Sequence, residues 1–384
     1  MRKVFTFIAF CLSLLTFGQT DSLVVSLITC GEGDGVHEYY GHTALRVRRV
    51  GGEPFDYIFN YGAFDFNKPD FVWLFIKGET DYTVSMEPMK VFAEYYDKQR
   101  HIRADEQVLN LTQNEAHRLA GLLYSNAVEA IRTQWTYRYN FFYDNCTTHA
   151  LDMLSAAFEP GTELVWPEPK ERTLRQILHE SSCKHPFTMI GEDMLLGADV
   201  DGNATLRDQL FSPFYASEYI KSVKVKRADG SETLLAQSPT NLWPDTRETS
   251  NESTVYYIVV VLLGALLFTL IIYEKIKKKY FYGIDLTYFS LQTLLGTVVA
   301  TMFFCSVHPS VDSNWLILWL NPLYIIALGV LIRQIWKKSI TMRFRHVMAC
   351  VSLVTLLVFC LCPQSIPTEI LILIALYGIH SGIK

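Results

Sequence analysis

The stretch Tyr143-Asp144-Asn145-Cys146-Thr147-Thr148 decides how the soluble part of this chain is interpreted, because it joins a polar loop to a helix. Beyond it, apolar residues recur at the spacing of one helical face: Ala150, Leu151, Leu154 and Phe158. Asp144 or Asn145 can cap the first turn of such a helix. The pattern therefore predicts a helix that begins near Cys146 and holds the thiol in its first turn.

Upstream of this helix the composition is typical of β-strands. Residues 43–48 alternate apolar and polar side chains, as a half-buried strand does. Gly51-Gly52 turns the chain towards a further strand at 55–61, which predicts a hairpin. Other patterns are strands at 23–28 and 84–86, and helices at 89–99 and after the capping box Thr112–Glu115. Because strands and helices cluster separately, the sequence predicts an α+β domain.

Downstream, the chain becomes strongly apolar. Five runs without charged residues follow one another: 254–273, 286–307, 315–332, 347–362 and 370–383. A helix of about 20 apolar residues crosses a bilayer, and four of the runs approach or exceed that length. Buried core helices are the alternative, which such a succession of runs disfavours. The sequence therefore predicts an all-α bundle of five transmembrane helices, the last of them the shortest.

Basic residues orient this bundle. Four lysines follow the first run between residues 275 and 279, and five Lys or Arg residues lie between the third and fourth runs. The connections 308–314 and 363–369 contain neither Lys nor Arg. Because positively charged loops stay in the cytoplasm, the soluble domain is predicted to lie outside it.

The N-terminus independently predicts export. Arg2 and Lys3 precede the apolar run 4–17, which is typical of a secretory signal. A first transmembrane helix is the alternative, which is disfavoured because the run is shorter than the ~20 residues of a membrane span. The predicted organisation is a signal peptide at 1–20, an extracytoplasmic domain at 21–238, a linker at 239–253 and a membrane domain at 254–384.

Composition excludes several classes of protein. The net charge is −5, and the soluble part lacks the basic face that nucleic-acid binding requires. Of eight cysteines, only Cys30, Cys146 and Cys183 fall in the predicted exported domain, so at least one of them is unpaired. No Cys-x-x-Cys or His/Cys metal spacing is present, and no metal or cofactor is predicted.

Two residues are candidates for chemistry. A helix N-terminus lowers the pKa of a thiol, which would make Cys146 a nucleophile; a small buried hydrophobe is the alternative. His42 lies in Tyr40-Gly41-His42-Thr43-Ala44-Leu45, where a glycine-rich loop enters a strand, and there it could act as a general base. Alone, such a histidine is more often a solvated or core residue.

The segments 41–47 and 142–147 together resemble the permuted branch of the papain-like, NlpC-type superfamily, in which the histidine strand precedes the cysteine helix. More closely, the sequence resembles the Bacteroides-type lipoprotein N-acyltransferases, the Lnb family. Residues 59–66, His308-Pro309 and the stretch from Asn314-Trp315 to Asn321-Pro322 also match, so the resemblance covers nearly the whole mature chain. It implies a papain-like periplasmic domain followed by five membrane helices in the bacterial inner membrane.

The resemblance also implies a third polar residue that orients the histidine. Asn60, on the strand expected beside that of His42, is the first choice, and Asp65 is the second; both could instead form the turn around Gly62. For the oxyanion hole, Tyr39, Tyr40 and the backbone amide of Cys146 remain open. Cys30 adjoins the loop that leads to His42, and a structural role is expected for it.

The activity that the resemblance implies is acyl transfer. Cys146 would take an acyl chain from a membrane phospholipid as a thioester and pass it to the α-amine of a diacylated lipoprotein, with no cofactor. The rival is a membrane-anchored cysteine hydrolase of cell-wall peptides or proteins, which would scarcely need five spans. A third possibility is a catalytically dead domain that only binds or scaffolds.

Overall fold

The computed structural model describes residues 22–51, 54–64, 69–247, 251–338 and 341–382. The predicted signal peptide and Asp65 lie outside the described residues.

An antiparallel sheet of seven strands forms the centre of the soluble domain, in the order β10-β5-β1-β2-β3-β4-β6. A second, three-stranded sheet has the order β7-β8-β9. The strands are β1 Ser22–Cys30, β2 His42–Val50, β3 Asp56–Ala63, β4 Asp81–Pro88, β5 Ala104–Val108, β6 Tyr137–Arg138, β7 Glu163–Val165, β8 Lys224–Lys226, β9 Glu232–Leu234 and β10 Thr240–Trp243. The predicted hairpin is confirmed, because β2 and β3 pair antiparallel with Leu45 opposite Phe59.

Eight helices surround this sheet in the described part of the soluble domain. They are α1 Phe71–Lys77, α2 Met89–Ala93, α3 Gln113–Thr133, α4 Cys146–Ala156, α5 Leu174–Ser182, α6 Pro186–Leu195, α7 Leu206–Gln209 and α8 Pro213–Ile220. The predicted capping box starts α3: the Thr112 hydroxyl accepts from the Glu115 N–H at 3.2 Å, and the Glu115 carboxylate accepts from the Thr112 N–H at 2.8 Å. The clustering of strands and helices is therefore the α+β arrangement predicted.

Strand alternation sends successive residues to two different cores. On one face, β1 and β2 contribute residues such as Val25, Leu27 and Leu45 to the large core under α3 and α4. On the other face, Ile28 and Cys30 of β1 pack with Ala44, Ile58 and Phe92. The second face is covered by α2 and by the π-helical segment Glu94–Gln99 that continues it.

The first residues of the segment predicted as a linker, 239–253, belong to the central sheet. Residues 240–243 form the edge strand β10 and pair with β5. Trp243 is buried, and its indole N–H donates to the Ile102 carbonyl at 2.7 Å. Pro239 and Pro244 flank the strand, which made the segment look irregular, but proline is tolerated at a sheet edge.

The C-terminal region contains five helices between residues 253 and 382. They are α9 Ser253–Lys277, α10 Tyr282–Cys305, α11 Tyr324–Trp336, α12 Met342–Leu361 and α13 Thr368–Gly382. Three of them, α9, α10 and α12, are long and apolar enough to cross a membrane, whereas α11 and α13 are shorter apolar helices.

The third predicted run, 315–332, is divided rather than continuous. It begins as a 3-10 turn at Trp315–Leu318, breaks at Asn321-Pro322 and continues as α11. Proline cannot donate the backbone hydrogen bond that a helix interior requires, and the Asn321 side chain instead accepts from the Leu323 N–H at 2.9 Å. Gly296 of α10 packs against this break, where a Cβ would lie 2.5 Å from the Asn321 nitrogen.

The soluble domain rests on connections of the membrane region that lack Lys and Arg. The Gly197 N–H donates to the Ser310 carbonyl at 2.6 Å, and the Asn314 amide donates to the Met194 carbonyl at 2.8 Å. These contacts place the soluble domain on the side of the membrane that the charge pattern predicts to be the outer one.

A buried arginine holds the contacting loop in shape. The Arg175 guanidinium bonds Asp193 at 2.7 Å, Asp201 at 2.8 Å and the Gly197 carbonyl at 2.9 Å. Asp201 also accepts from the Ser365 N–H at 3.2 Å, in the second outer connection. The loop that carries the domain is therefore fixed from both sides.

Candidate active site

Cys146 is the first residue of α4, as the sequence predicts. Of the two possible caps, the structure uses Asn145, whose Oδ1 accepts from the N–H groups of Thr147 and Thr148 at 2.9 and 3.0 Å. Its Nδ2 donates to the carbonyls of Phe141 and Phe211 at 2.9 and 2.8 Å. An aspartate could accept but not donate, so only the amide satisfies both sides of this buried position.

His42 is the first residue of β2 and lies opposite Cys30 of β1. Gly41 before it has φ of +73°, and a Cβ there would lie 2.7 Å from the Cys30 carbonyl oxygen. Only glycine fits this left-handed turn, which delivers the imidazole to the end of the sheet.

A bulge in β3 brings the thiol over the sheet. The register of β3 against β4 shifts between Tyr61 and Ala63, and Gly62 between them has φ of +87°. A Cβ on Gly62 would lie only 3.6 Å from the Cβ of Cys146. Bulges often redirect side chains beside functional sites, and this one lies in van der Waals contact range of Cys146, two residues after Asn60.

The structure joins His42 to Asn60 and Asn60 to a residue that the sequence analysis missed. The His42 Nε2 lies 3.2 Å from the Asn60 Oδ1, and the Asn60 Nδ2 donates to the Glu87 carboxylate at 3.0 Å. Because an ionised carboxylate only accepts, Glu87 turns the amide so that its oxygen faces His42. The Nε2 then carries the proton, and the Nδ1 is left for the thiol.

The electrostatics of Cys146 and His42 are coupled. Burial, the largest effect, would raise the pKa of Cys146, but the His42 cation and hydrogen bonds from His42, the Thr43 N–H and the Thr147 hydroxyl outweigh it, so the pKa falls below 9.0. Burial would likewise lower the pKa of His42, yet the Cys146 thiolate, Asn60 and Glu87 raise it above 6.5. The arrangement therefore favours a thiolate–imidazolium pair.

Aromatic side chains enclose the pair. The ring of Tyr96 stacks parallel to that of His42 with the centroids 6.4 Å apart. Tyr139, which would lie 3.5 Å from a Cβ on Gly62, stacks on Tyr82 at 4.2 Å. Cys146 itself is only 8% exposed, so water has limited access to the thiol.

The other residues considered from the sequence are placed differently. The Tyr40 hydroxyl hydrogen-bonds Glu192, and the Tyr39 ring stacks on His185 at 3.8 Å, so both tyrosines are engaged with α6 and its N-cap. The Asn145 side chain takes the N–H groups of Thr147 and Thr148 but not that of Cys146, which keeps that amide as the oxyanion candidate.

Cys30 lies within the site's surroundings, yet burial, followed by the charges of Cys146 and Asp105, raises the pKa of its thiol well above 9.0. Cys183 is exposed. Among the described residues, no group of three His, Cys, Asp or Glu side chains could hold a metal ion.

One sequence signal could have indicated Glu87, because it directly follows the strand-like segment 84–86. In the structure this strand pairs with β3, and Ser85 lies opposite Asn60.

Two family descriptions match this chain. The Lnb N-terminal periplasmic domain matches residues 16–180, and the Lnb transmembrane domain matches residues 250–384. No curated protein and no solved structure matches it. Both families agree with the observed order of a sheet-rich domain followed by apolar helices. The protein is therefore a membrane protein with a periplasmic domain, and it belongs to the Lnb family, whose domains indicate a lipoprotein N-acyltransferase.

Proposed function

We propose that this chain moves an acyl chain from a membrane phospholipid, through a thioester on Cys146, to the α-amine of the diacylglyceryl-cysteine that begins a lipoprotein. The observation that carries the proposal is the buried pairing of Cys146 with His42 at a helix N-terminus. The family assignment indicates the general class of reaction, and the Cys146 thiol supplies a nucleophile for it.

In the first half-reaction the Cys146 thiolate attacks an ester carbonyl of the phospholipid. The N–H of Cys146, at the N-terminus of α4, is positioned to stabilise the oxyanion that forms. The bond to the glycerol oxygen then breaks, and the His42 imidazolium gives its proton to that oxygen. A lysophospholipid leaves, and the acyl group remains on sulfur as a thioester.

In the second half-reaction the α-amine of the lipoprotein attacks the thioester. His42, now neutral, accepts the proton that the amine loses, while the C–S bond breaks and returns the thiolate. The product is an amide-linked acyl chain. Asn60 is proposed to hold the imidazole in the tautomer that both steps require.

Two features favour transfer to an amine over hydrolysis. Cys146 is only 8% exposed, with Tyr139 nearby, which limits the access of water to the thioester. The acceptor is anchored in the membrane on which the domain rests, which raises its effective concentration at the site. We propose that the reaction occurs at the periplasmic face of the inner membrane, and the contacts between the soluble domain and the outer connections support this location.

The test is expression in cells that make only diacylated lipoproteins. Mass spectrometry of the lipidated N-terminal peptide should show one added acyl chain in amide linkage, and lysophospholipid should rise in step. Cys146→Ala should abolish both changes, whereas Cys183→Ala, which removes an exposed thiol, should abolish neither.

Unchanged lipoprotein N-termini with well-inserted protein would reject the proposal. Cleaved wall peptides, or free fatty acid without an amide, would instead establish the hydrolase that the sequence left as the rival. A protein that binds lipid without any turnover would be a scaffold.

A further inference from the structure

A groove lies where the soluble domain meets the membrane helices. Its volume is about 500 Å³, and its walls come from α1, α10 and α11. Trp73 and Ile76 of α1 form the wall on the soluble domain, and Leu294 and Val298 of α10 face them, with Ile325 of α11 alongside.

Four hydroxyl-bearing residues line the groove, and all but Ser290 donate to the backbone of their own helix. Three threonines of its wall, Thr293, Thr297 and Thr301, each donate their hydroxyl to the carbonyl four residues earlier in α10, at 2.8, 2.7 and 2.8 Å. Such bonds leave these hydroxyls without a donor hydrogen for an occupant of the groove. An occupant must therefore be apolar along its length.

The groove is fixed at the outer end of the membrane helices. Just after α10, the Val307 N–H donates to the Lys77 carbonyl at 2.8 Å, and the His308 ring bonds the Phe75 carbonyl. Gly78 packs so closely that a Cβ there would lie 2.7 Å from the His308 nitrogen. Helix α1 is thus held where the outer leaflet begins, with Trp73 exposed on the apolar side.

The wall on the soluble domain lies in the same part of the chain as residues of the candidate site. Helix α1 is the connection between β3, which carries Asn60 and Gly62, and β4, which carries Glu87. Between them, the ring of Phe64 packs on Tyr82 at 4.6 Å, and Tyr82 stacks on Tyr139 beside Cys146. Phe64 and Tyr82, which flank α1 in the chain, therefore pack in the aromatic group next to Cys146.

The size of the groove limits what can occupy it. A transmembrane helix about 10 Å across and 30 Å long fills roughly 2,000 Å³ or more, several times the groove. The measured volume lies instead in the range of small-ligand pockets, about 300–1,000 Å³. Only a slender apolar molecule fits.

We infer that this groove binds one fatty-acyl chain of the donor phospholipid and directs its ester carbonyl to Cys146. The inference rests on the proposed function and deepens it, since it names the part of the substrate that the membrane domain recognises. The donor is preferred over the acceptor because the donor's own chain must reach Cys146, and α1 of the groove wall lies in the chain between the two strands that carry Asn60 and Glu87.

The experiment uses the full-length protein in vesicles of phosphatidylethanolamine with labelled palmitoyl chains and no lipoprotein. Thr297→Trp, which fills the groove, should slow labelling of Cys146 at least about tenfold, because a misplaced carbonyl loses its reactive geometry. Val298→Trp should give the same pattern. When the donor is a phospholipid with labelled hexanoyl chains, which occupy less of the groove, the two substitutions should slow labelling of Cys146 far less.

Two controls separate the groove from general damage. Thr269→Trp is matched, because Thr269 is also exposed in an apolar helix and donates to the carbonyl four residues earlier, at 2.7 Å, but lies on α9. It should label at the wild-type rate. Iodoacetamide should alkylate Cys146 of Thr297→Trp as fast as the wild type, which shows that the site is intact.

The outcomes are distinct. If the wild type never carries label on Cys146, the thioester function fails and the groove inference fails with it. If the wild type is labelled and both filling variants are labelled equally fast with palmitoyl chains, only the groove inference is wrong. If the filling variants acylate Cys146 normally but lose transfer to a diacylated peptide, the groove holds the acceptor and the inference is also wrong.

Discussion

Two histidines, His42 and His380, occupy opposite ends of this molecule and have different partners. In the membrane domain, His380 is fully buried, with its Nδ1 2.7 Å from Glu274 and its Nε2 3.2 Å from Asp285. In the periplasmic domain, His42 has only an amide, that of Asn60, on one ring nitrogen, and the other faces a thiol. A histidine with a carboxylate at each nitrogen has no nitrogen left for chemistry, whereas His42 does.

The cluster around His380 ties together the cytoplasmic ends of four helices. Asp285 of α10 also accepts from the Tyr377 hydroxyl at 2.8 Å, and the Arg345 guanidinium of α12 lies 3.8 Å above the ring of Tyr280. Lys275 and its neighbours follow Glu274 directly. Charges inside a membrane domain persist when they are paired, so this cluster has the features of a structural clamp.

The comparison predicts its largest effect at the thiol. Cys146→Ala and His42→Ala should each lower acyl transfer by at least about 1,000-fold, and the double variant should be no worse, because the two residues act as a unit. Cys146→Ser should be nearly inactive as well, since a hydroxyl ionises far less. Product formation is measured by mass spectrometry, with Cys183→Ala as control. Full activity in Cys146→Ala would remove this residue from the mechanism.

A smaller effect is expected one step away from the reacting atoms. Asn60→Ala frees the imidazole to adopt the wrong tautomer and should lower kcat roughly 100-fold, with KM little changed. Glu87→Gln lets the amide of Asn60 turn over and should lower kcat roughly tenfold. Asn114→Ala is the matched control, because Asn114 also donates to a glutamate, Glu159, but at the exposed surface.

If Glu87→Gln lowered the free energy of unfolding but left kcat and its pH profile unchanged, Glu87 would have only a structural role, like the carboxylates around His380. Asn60 would then be the only one of the two residues that positions His42.

The ionisation of the pair gives a third prediction. Because the pKa of Cys146 is lowered, its alkylation by iodoacetamide should reach a plateau at a lower pH than that of a free thiol. In His42→Ala the burial of Cys146 is no longer opposed by the cation, so the alkylation profile should move to higher pH. Acyl transfer should fall at low pH as the thiolate is protonated, and at high pH as His42 loses its proton above its raised pKa. An unshifted profile in His42→Ala would show that the two groups are not coupled.

The smallest effect on activity is expected at His380. His380→Ala leaves two buried carboxylates without their shared partner and should lower the free energy of unfolding by about 3–5 kcal/mol. Activity per folded molecule should stay within about twofold, because the cluster lies at the other end of the membrane helices. Thermal unfolding in detergent measures the first quantity, with the exposed His346→Ala as control. If His380→Ala lost activity while its free energy of unfolding stayed normal, His380 would have a role in the reaction, as is proposed for His42.

Features that neighbouring residues determine could be predicted from the sequence, whereas contacts between residues far apart in the chain could not. The helix at Cys146 and its cap follow from neighbouring residues, and so does the capping box of α3. The pairing of His42 with Cys146, 104 residues apart, came from the family resemblance and not from any spacing. The role of Glu87 was not predicted, because an acidic residue at the end of a strand is ordinarily solvent-exposed. No local sequence pattern shows that Glu87 of β4 contacts Asn60 of β3.

The membrane domain shows the same limit. Composition predicted the apolar runs, yet His380 lies 106 residues from Glu274 and 95 residues from Asp285 along the chain, and only helix packing brings it to them. Proline in an apolar run indicates a helix break at Asn321-Pro322, but the sequence does not show that this break packs against Gly296 of α10.

The contacts between the loop at residues 194–201 and the outer connections have a consequence for substrate choice. Because Asn314 and Gly197 fix the soluble domain on the membrane helices, the distance of Cys146 from the bilayer surface is set by the fold. On the proposed function, an ester is then accepted according to its depth below the lipid surface, and not according to the charge or size of the group above it. Phospholipids with different head groups share that depth, so the enzyme would draw acyl chains from whichever of them is abundant.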